Sequence, residues 1–417
     1  MADDHVSIHI TQKIASLSPI QADCCICKVP DYLRKIDENA YEPQRLAIGP
    51  YHRGKLHLEA MEEHKFRYLQ KLLEEREEIN DVSKYVKAMK ELEPRARNCY
   101  TDPVNLESDD FIKMMLLDGC FIVQLIRMCF GMSSSVDNDP IFKVTGLVYS
   151  LFRDLLLVEN QIPFFVVVKL LGMIGISNNE DFTRMISGFL EFMFPDFSFS
   201  TDGVKPIDEI RHLLDLIHEY WRPSPFENKS PRNMEKLDFR RTRCATELQE
   251  AGIRFKKVEG ESLLDIKYEK GTLKIPSLVI DDFTNYLLRN LIALEQLFPC
   301  SDINHVTDYA IFMNCLINSA KDVEILARCE IVDNCLGNDE AAATMFNRLT
   351  DSLFYSSFYY HEVSYKVNEY CRRRLNKWIA NLNHNYFNSP WAFISVLAAA
   401  VILLLTLMQT IFSGIAL

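Results

Sequence analysis

The chain has 417 residues, with 46 Lys plus Arg against 58 Asp plus Glu and a formal net charge of −12. Charged residues make up 25% and hydrophobic ones 48%, a globular balance that excludes wholesale disorder. The acidic total excludes the basic surplus that phosphate-backbone binding needs, so no nucleic-acid partner is expected.

Length suggests two or three domains. Residues 1–23 read as a flexible N-terminal tail with no basic n-region and no apolar h-region, so no signal peptide is expected. A helical N-terminal lobe is expected over 24–221. It opens with an irregular stretch broken by Pro30, Pro43, Gly49 and Pro50. A helix follows over 56–80, where Leu58, Met61, Lys65, Tyr68, Leu69 and Leu72 recur at three- and four-residue spacing. The run Glu74-Glu75-Arg76-Glu77-Glu78 reads as a solvated face. Further helices are expected near 82–99, 108–130, 141–158, 161–173, 179–193 and 205–220. The stretch 114–130 is apolar on most sides but carries Asp118, Gln124 and Arg127, so it reads as a central core helix.

Residues 222–244 break the pattern. Three prolines and the basic residues Arg222, Lys229, Arg232, Lys236, Arg240, Arg241 and Arg243 mark a linker. It holds the one glycosylation sequon, Asn228-Lys229-Ser230, followed by Pro231. A C-terminal lobe over 245–381 starts with a short helix closed by Gly252. The period then changes to two: Ile253 and Phe255, then Leu264, Ile266 and Tyr268, then Leu273 and Ile275, with Lys270-Gly271 as a turn. This spacing predicts a small antiparallel β element. Helices are expected again over 282–298, 306–319, 322–331, 339–355 and 358–381.

The last 40 residues, from Trp378 on, contain no Asp, Glu, Lys or Arg. Trp391 to Leu417 reads WAFISVLAAAVILLLTLMQTIFSGIAL, and a bilayer core of about 30 Å takes roughly 20 apolar residues in a helix. A transmembrane helix in contact with lipid is therefore expected over 390–413. It would be a single-pass C-terminal anchor, in the plasma membrane or an endomembrane. Arg372, Arg373, Arg374 and Lys377 lie just before it and favour a cytosol-facing body. The fold class that results is mainly α: a multi-helix globular body, a small antiparallel β element and one C-terminal transmembrane helix.

Candidate chemistry is sparse. Walker, GxSxG, HExxH, EF-hand and GxGxxG patterns are absent. His57 and His64 lie near Glu59, Glu62 and Glu63, but two turns of helix separate them, some 10 Å along the axis. Cys24-Cys25-Ile26-Cys27 holds a CxxC with no second pair, so structural zinc is not expected and the twelve cysteines read as free thiols. His212 and Asp215 are three apart and resemble a base–orienter pair, but no nucleophile can be tied to them. No catalytic, cofactor-binding or metal-ligating residue is assigned. An enzymatic alternative would need Asp118, Glu159, His52 or Glu295 to converge in one pocket with shifted pKa values.

Several short motifs stand in order. Val29-Pro30 is followed by Tyr41-Glu42-Pro43-Gln44 and by Ile48-Gly49-Pro50-Tyr51-His52. Met61-Glu62 with Lys65 comes next, then Leu117-Asp118-Gly119-Cys120-Phe121. Asp154-Leu155 then precedes Leu157-Val158-Glu159-Asn160-Gln161-Ile162-Pro163. Glu247-Leu248, Ala251-Gly252-Ile253, Ile275-Pro276 and Asn290-Leu291-Ile292-Ala293-Leu294-Glu295-Gln296 complete the series. Over about residues 24–413 the chain resembles the plant family named for domain of unknown function 247, also called UPF0481. Cys27-Lys28 and Gln124 depart from its usual pattern. The resemblance implies a mostly helical, membrane-associated protein without an established catalytic activity, and some grass members are implicated in pollen self-incompatibility. The expected function is non-enzymatic recognition or signalling through a protein partner; the alternative is a membrane-bound enzyme with a carboxylate/His site. Glu159-Asn160-Gln161 is expected to knit helices together by side-chain-to-backbone hydrogen bonds.

Overall fold

A computed structural model describes residues 5–15, 24–75, 82–131, 139–176, 179–195, 204–222, 242–259, 262–298, 304–354, 358–372 and 390–415. In chain order the helices begin with α1 (His5–Ala15), α2 (Asp31–Arg34), α3 (Ala60–Glu74), α4 (Val82–Arg97) and α5 (Ser108–Cys129). They continue with α6 (Thr145–Leu155), α7 (Phe164–Met173), α8 (Asn179–Met193), α9 (Leu213–Tyr220) and α10 (Ala245–Glu250). Strands β1 (Arg254–Val258), β2 (Lys267–Glu269), β3 (Thr272–Pro276) and β4 (Leu278–Ile280) follow. Then come α11 (Asp282–Leu297), α12 (His305–Leu316), α13 (Ala320–Arg328), β5 (Val332–Asn334), α14 (Asp339–Leu349), α15 (His361–Arg372) and α16 (Pro390–Ile415). The mainly helical reading therefore stands. Of the expected linker, 223–241 lies outside the described residues, and so does the sequon.

The chain divides into two compact units. The first comprises Met1–Val29, Pro43–Phe189 and Pro206–Leu216; the second comprises Pro30–Glu42, Leu190–Lys205 and Ile217–Leu417.

The first unit is built around α5. From Phe111 to Ile126 every side chain except Lys113 is buried, as an apolar run on all sides of a helix requires. Helices α3, α4 and α7 pack on it. The α3 stripe read from the sequence faces inward, and Tyr68 stacks on Phe121 of α5 at 5.0 Å. Gly119 lets α7 approach closely, since a Cβ there would lie 2.5 Å from Leu170 Cδ1. Helix α7 starts at Phe164 rather than 161, because Pro163 occupies the position before its first residue.

In the second unit α11 packs on α12, and α14 on α12 and α13. Asp281 caps α11 by accepting the Thr284 N–H at 2.7 Å, and Asn338 caps α14 through the Ala341 N–H at 2.7 Å. Lys270 and Gly271, both at positive φ, turn β2 back into β3 as an antiparallel hairpin. The expected all-antiparallel element is corrected in one respect: β1 runs parallel to β3. The sheet order is β1-β3-β2. In the buried run Leu263–Ile266, Leu263 and Leu264 form a turn rather than strand, and β2 lies on the far side of β3 from β1. A second sheet pairs β4 with β5 in parallel.

The C-terminal stretch is helical as α16, but the expected membrane span is overturned. Among the described residues no helix is long and apolar enough to cross a membrane. The transmembrane helix over 390–413 and the single-pass C-terminal anchor are corrected accordingly.

Candidate functional site: a buried polar network

The motif residues of the first unit meet in one place. The stretch 43–52 runs past α3, α5 and α6, and its backbone N–H groups find no strand partner among the described residues. Side chains from the helices receive them instead, as buried backbone donors require. Asp154, at the end of α6, accepts the N–H groups of Gln44 (2.9 and 3.0 Å), Arg45 (2.7 Å) and Leu46 (2.9 Å). Three successive amides converging on one carboxylate form an anion nest already filled by the protein's own side chain. Arg153 Nη1 adds an ion pair at 2.9 Å. Asn160 Oδ1 accepts the Ile48 N–H at 2.7 Å, and Asp118 Oδ2 accepts the Gly49 N–H at 2.8 Å.

Gly49 is fixed by two constraints. Its φ is +73°, and a Cβ would lie 2.4 Å from the Gln161 carbonyl oxygen. The remaining amide donors of the motif close off α6. Asn160 Nδ2 donates to the carbonyls of Leu46 and Asp154, both at 2.9 Å. Gln161 Nε2 donates to those of Leu155 (2.7 Å) and Leu157 (2.8 Å). The Asp154 and Leu155 carbonyls are orphans of the α6 C-terminus, so the pair serves as a side-chain cap there. This is why α6 ends at Leu155 and the expected helix to 158 does not form.

Two further side-chain pairs complete the network. Lys65, 1% exposed on α3, reaches Asp118 Oδ1 at 2.6 Å and the Ala47 carbonyl at 2.6 Å. Glu159 accepts the Val29 N–H at 2.5 Å and stands 3.3 Å from His52 Nε2. Burial pushes the Asp118 and Asp154 carboxyls up, against the opposing pull of Lys65 and of the backbone N–H groups respectively.

Of the four residues an enzymatic site would need, Asp118, Glu159 and His52 thus lie along one stretch of backbone. Glu295 belongs to the second unit. There it accepts from His218 (2.8 Å), the N–H groups of Val306 (3.0 Å) and Thr307 (2.7 Å), and Thr307 Oγ1 (2.6 Å). It fills the N-terminus of α12, where the helix dipole favours an anion. Burial opposes ionisation, but these donors outweigh it and hold the Glu295 carboxyl below its ordinary value. One turn on, burial pushes Asp308 up to about 8, while its Oδ2 accepts the Tyr359 N–H at 2.7 Å. Burial pulls His305 down to about 4.

The other candidates resolve into structural roles. His212 Nδ1 accepts the Asp215 N–H at 3.2 Å and so caps α9. Asp215 pairs with Arg211 at 2.5 Å, which holds its carboxyl low despite burial. His57 Nε2 meets the Pro43 carbonyl at 3.1 Å. Among the described residues no group of three or more His, Cys, Asp and Glu is placed to hold a metal ion. Cys24 and Cys27 lie 3.1 and 2.5 Å from Thr101 Oγ1, and all described cysteines are free. Burial raises Cys120 and Cys129 to about 12, so they are unreactive thiols. Sequence reasoning missed the pairing of Lys65 with Asp118, and a lysine inside the apolar stripe of α3 was the available signal. Arg153 carried no comparable signal.

The family model for DUF247, described as "Plant protein of unknown function", matches residues 26–405. The chain belongs to this family. It is 32% identical over 423 residues to the UPF0481 protein At3g47200 of Arabidopsis thaliana, covering 93% of this chain and 85% of that one. It is 22% identical over 485 residues to the Putative UPF0481 protein At3g02645 of the same plant, covering 92% and 89%. No solved structure matches. The network joins residues of the family-resembling motifs between Val29 and Gln161.

Proposed function

We propose that the chain acts by recognising a protein partner and not by catalysis. One observation carries the reading. Asp118, Asp154 and Glu159, the most reactive-looking groups of the motifs, each receive backbone N–H groups from 29 or 44–49. Groups held this way fix the course of a largely buried backbone segment. A general base instead needs a lone pair open to a substrate proton. The experiment is proximity labelling in plant tissue, followed by reconstitution from purified components. A saturable complex is expected, with an affinity unchanged by His52→Gln wherever that variant folds. Turnover of a small molecule by the purified chain, abolished in folded His52→Gln, would overturn the reading.

A further inference from the structure

One corner of the first unit, where residues 24–29 run beside 99–102, gathers the thiols of Cys24, Cys25, Cys27 and Cys99. Ile26 pairs in parallel with Tyr100, which sets Cys25 beside Cys99 and Cys27 beside Thr101. The N–H groups of Cys25 and Ile26 both donate to the Cys99 carbonyl at 2.9 Å, and the Thr101 N–H donates to the Ile26 carbonyl at 3.0 Å. Thr101 Oγ1 donates to Cys27 Sγ at 2.5 Å and stands 3.1 Å from Cys24 Sγ, with the Ile26 carbonyl also in reach at 3.3 Å. One hydroxyl therefore touches both sulfurs, and the two thiols also interact with each other.

Packing accounts for one half of this group and not for the other. Cys25 and Cys99 are each 4% exposed, and a buried thiol serves as a small hydrophobe. Cys24 and Cys27 are only half-buried beside the exposed Thr101, so neither fills a core position. Thiols that a dissolved reagent can reach, held together on one hydroxyl, are placed to react with each other. Burial holds Cys27 up at about 11 against the pull of the Thr101 hydroxyl, so Cys24 is the thiol that meets a reagent first.

We propose that Cys24 and Cys27 are a redox modification site, closing to a reversible disulfide when the chain meets hydrogen peroxide. Cys24 Sγ attacks one peroxide oxygen and the O–O bond breaks. A sulfenic acid forms, and the other oxygen leaves as water with the Cys24 proton. Cys27 Sγ then attacks the Cys24 sulfur. The S–S bond forms, the S–O bond breaks, and the sulfenic hydroxyl leaves as a second water with the Cys27 proton. The thiols are oxidised and the peroxide is reduced, with no other reactant. Closure expels the Thr101 hydroxyl from between the sulfurs. It also braces the segment that runs on to Val29, whose N–H is anchored by Glu159 at 2.5 Å. The site stands independently of the recognition reading.

The test treats the full, pre-reduced chain with hydrogen peroxide, denatures it, alkylates the thiols that stay free, and maps the peptides by mass spectrometry. The peptide holding residues 24–28 should lose alkylation at Cys24 and Cys27 together and come out lighter by a pair of hydrogens. Cys25 and Cys99 should still be alkylated. Dithiothreitol should restore labelling at both positions. Cys27→Ser should form no disulfide and should leave Cys24 open to dimedone, which captures sulfenic acids. Cys335→Ser, which removes an exposed cysteine elsewhere, should behave as the wild type does. Fragment ions of the wild-type peptide place the bond even if Cys27→Ser fails to fold. Labelling of Cys24 and Cys27 that survives peroxide would overturn the proposal. So would a bond that joins Cys25 to Cys99 or one chain to another, or a Cys24 sulfinic acid formed with no disulfide.

Discussion

Gly49 shows how much one position can carry. Its left-handed backbone and the carbonyl oxygen of Gln161 leave no room for a methyl group. Gly49→Ala forces either the backbone or the Asp118 hydrogen bond to move. It is expected to lower stability in urea unfolding by about 2–4 kcal/mol, and an unchanged midpoint would contradict the geometry. Asp308 contributes to the alkaline side of stability. Its carboxyl titrates near 8 in the folded chain against an ordinary 3.8, so the native state binds the extra proton between those values. Stability should therefore be full below about 4 and fall as pH rises towards 8, by at most about 1.4 kcal/mol per unit. Asp308→Asn keeps an acceptor for the Tyr359 N–H and cannot ionise, so its melting temperature should lose this alkaline slope. His305 works in the other direction. It titrates near 4 against an ordinary 6.5, so its contribution is lost as pH falls through that window. The two slopes oppose each other between about 4 and 6.5, which leaves the decline above 6.5 as the visible feature of a melting-temperature profile.

Among the elements, the helices were the most legible part of the sequence. The α3 stripe and the apolar run of α5 locate the core of the first unit by pattern alone, because burial and 3.6-residue spacing are local properties. The Lys270-Gly271 hairpin was equally local. The parallel pairing of β1 was not, since β1 pairs with β3 across a sheet in which β2, its neighbour in sequence, lies on the other side. The end of α6 was hidden for a similar reason. Val158 and Glu159 continue a helical pattern, but Asn160 and Gln161 are drawn to carbonyls and amides more than a hundred residues away or one turn back. Helix α13 gives an element-scale test. Asp322 accepts the N–H groups of Ser319 (3.0 Å) and Thr246 (2.8 Å) and the Thr246 hydroxyl (2.7 Å). It thus caps α13 and anchors the start of α10. Asp322→Ala should cost about 2–3 kcal/mol and raise amide exchange at Thr246 as well as in the first turn of α13. An effect confined to α13 would show that α10 is held by other contacts.

For the molecule as a whole, composition indicated a globular chain, hydrophobic periodicity indicated its mainly helical body, and the ordered motifs indicated the family. The apolar C-terminus suggested a span that the described helix does not meet. What composition could not disclose was the purpose of the motif carboxylates. An acidic side chain in a signature segment looks the same in a sequence whether it meets a substrate or a backbone amide, and only the fold brings 43–52 against Asp118, Asp154 and Glu159. The account rests on those carboxylates being internal anchors. Native-state hydrogen exchange of the Gln44, Arg45 and Leu46 amides, in the wild type and in Asp154→Ala, tests it most directly. The account expects strong protection in the wild type and loss of protection at all three amides in the variant, with a global destabilisation of about 3–5 kcal/mol. Amides that exchange freely in the wild type, or that stay protected when the carboxylate is removed, would contradict it.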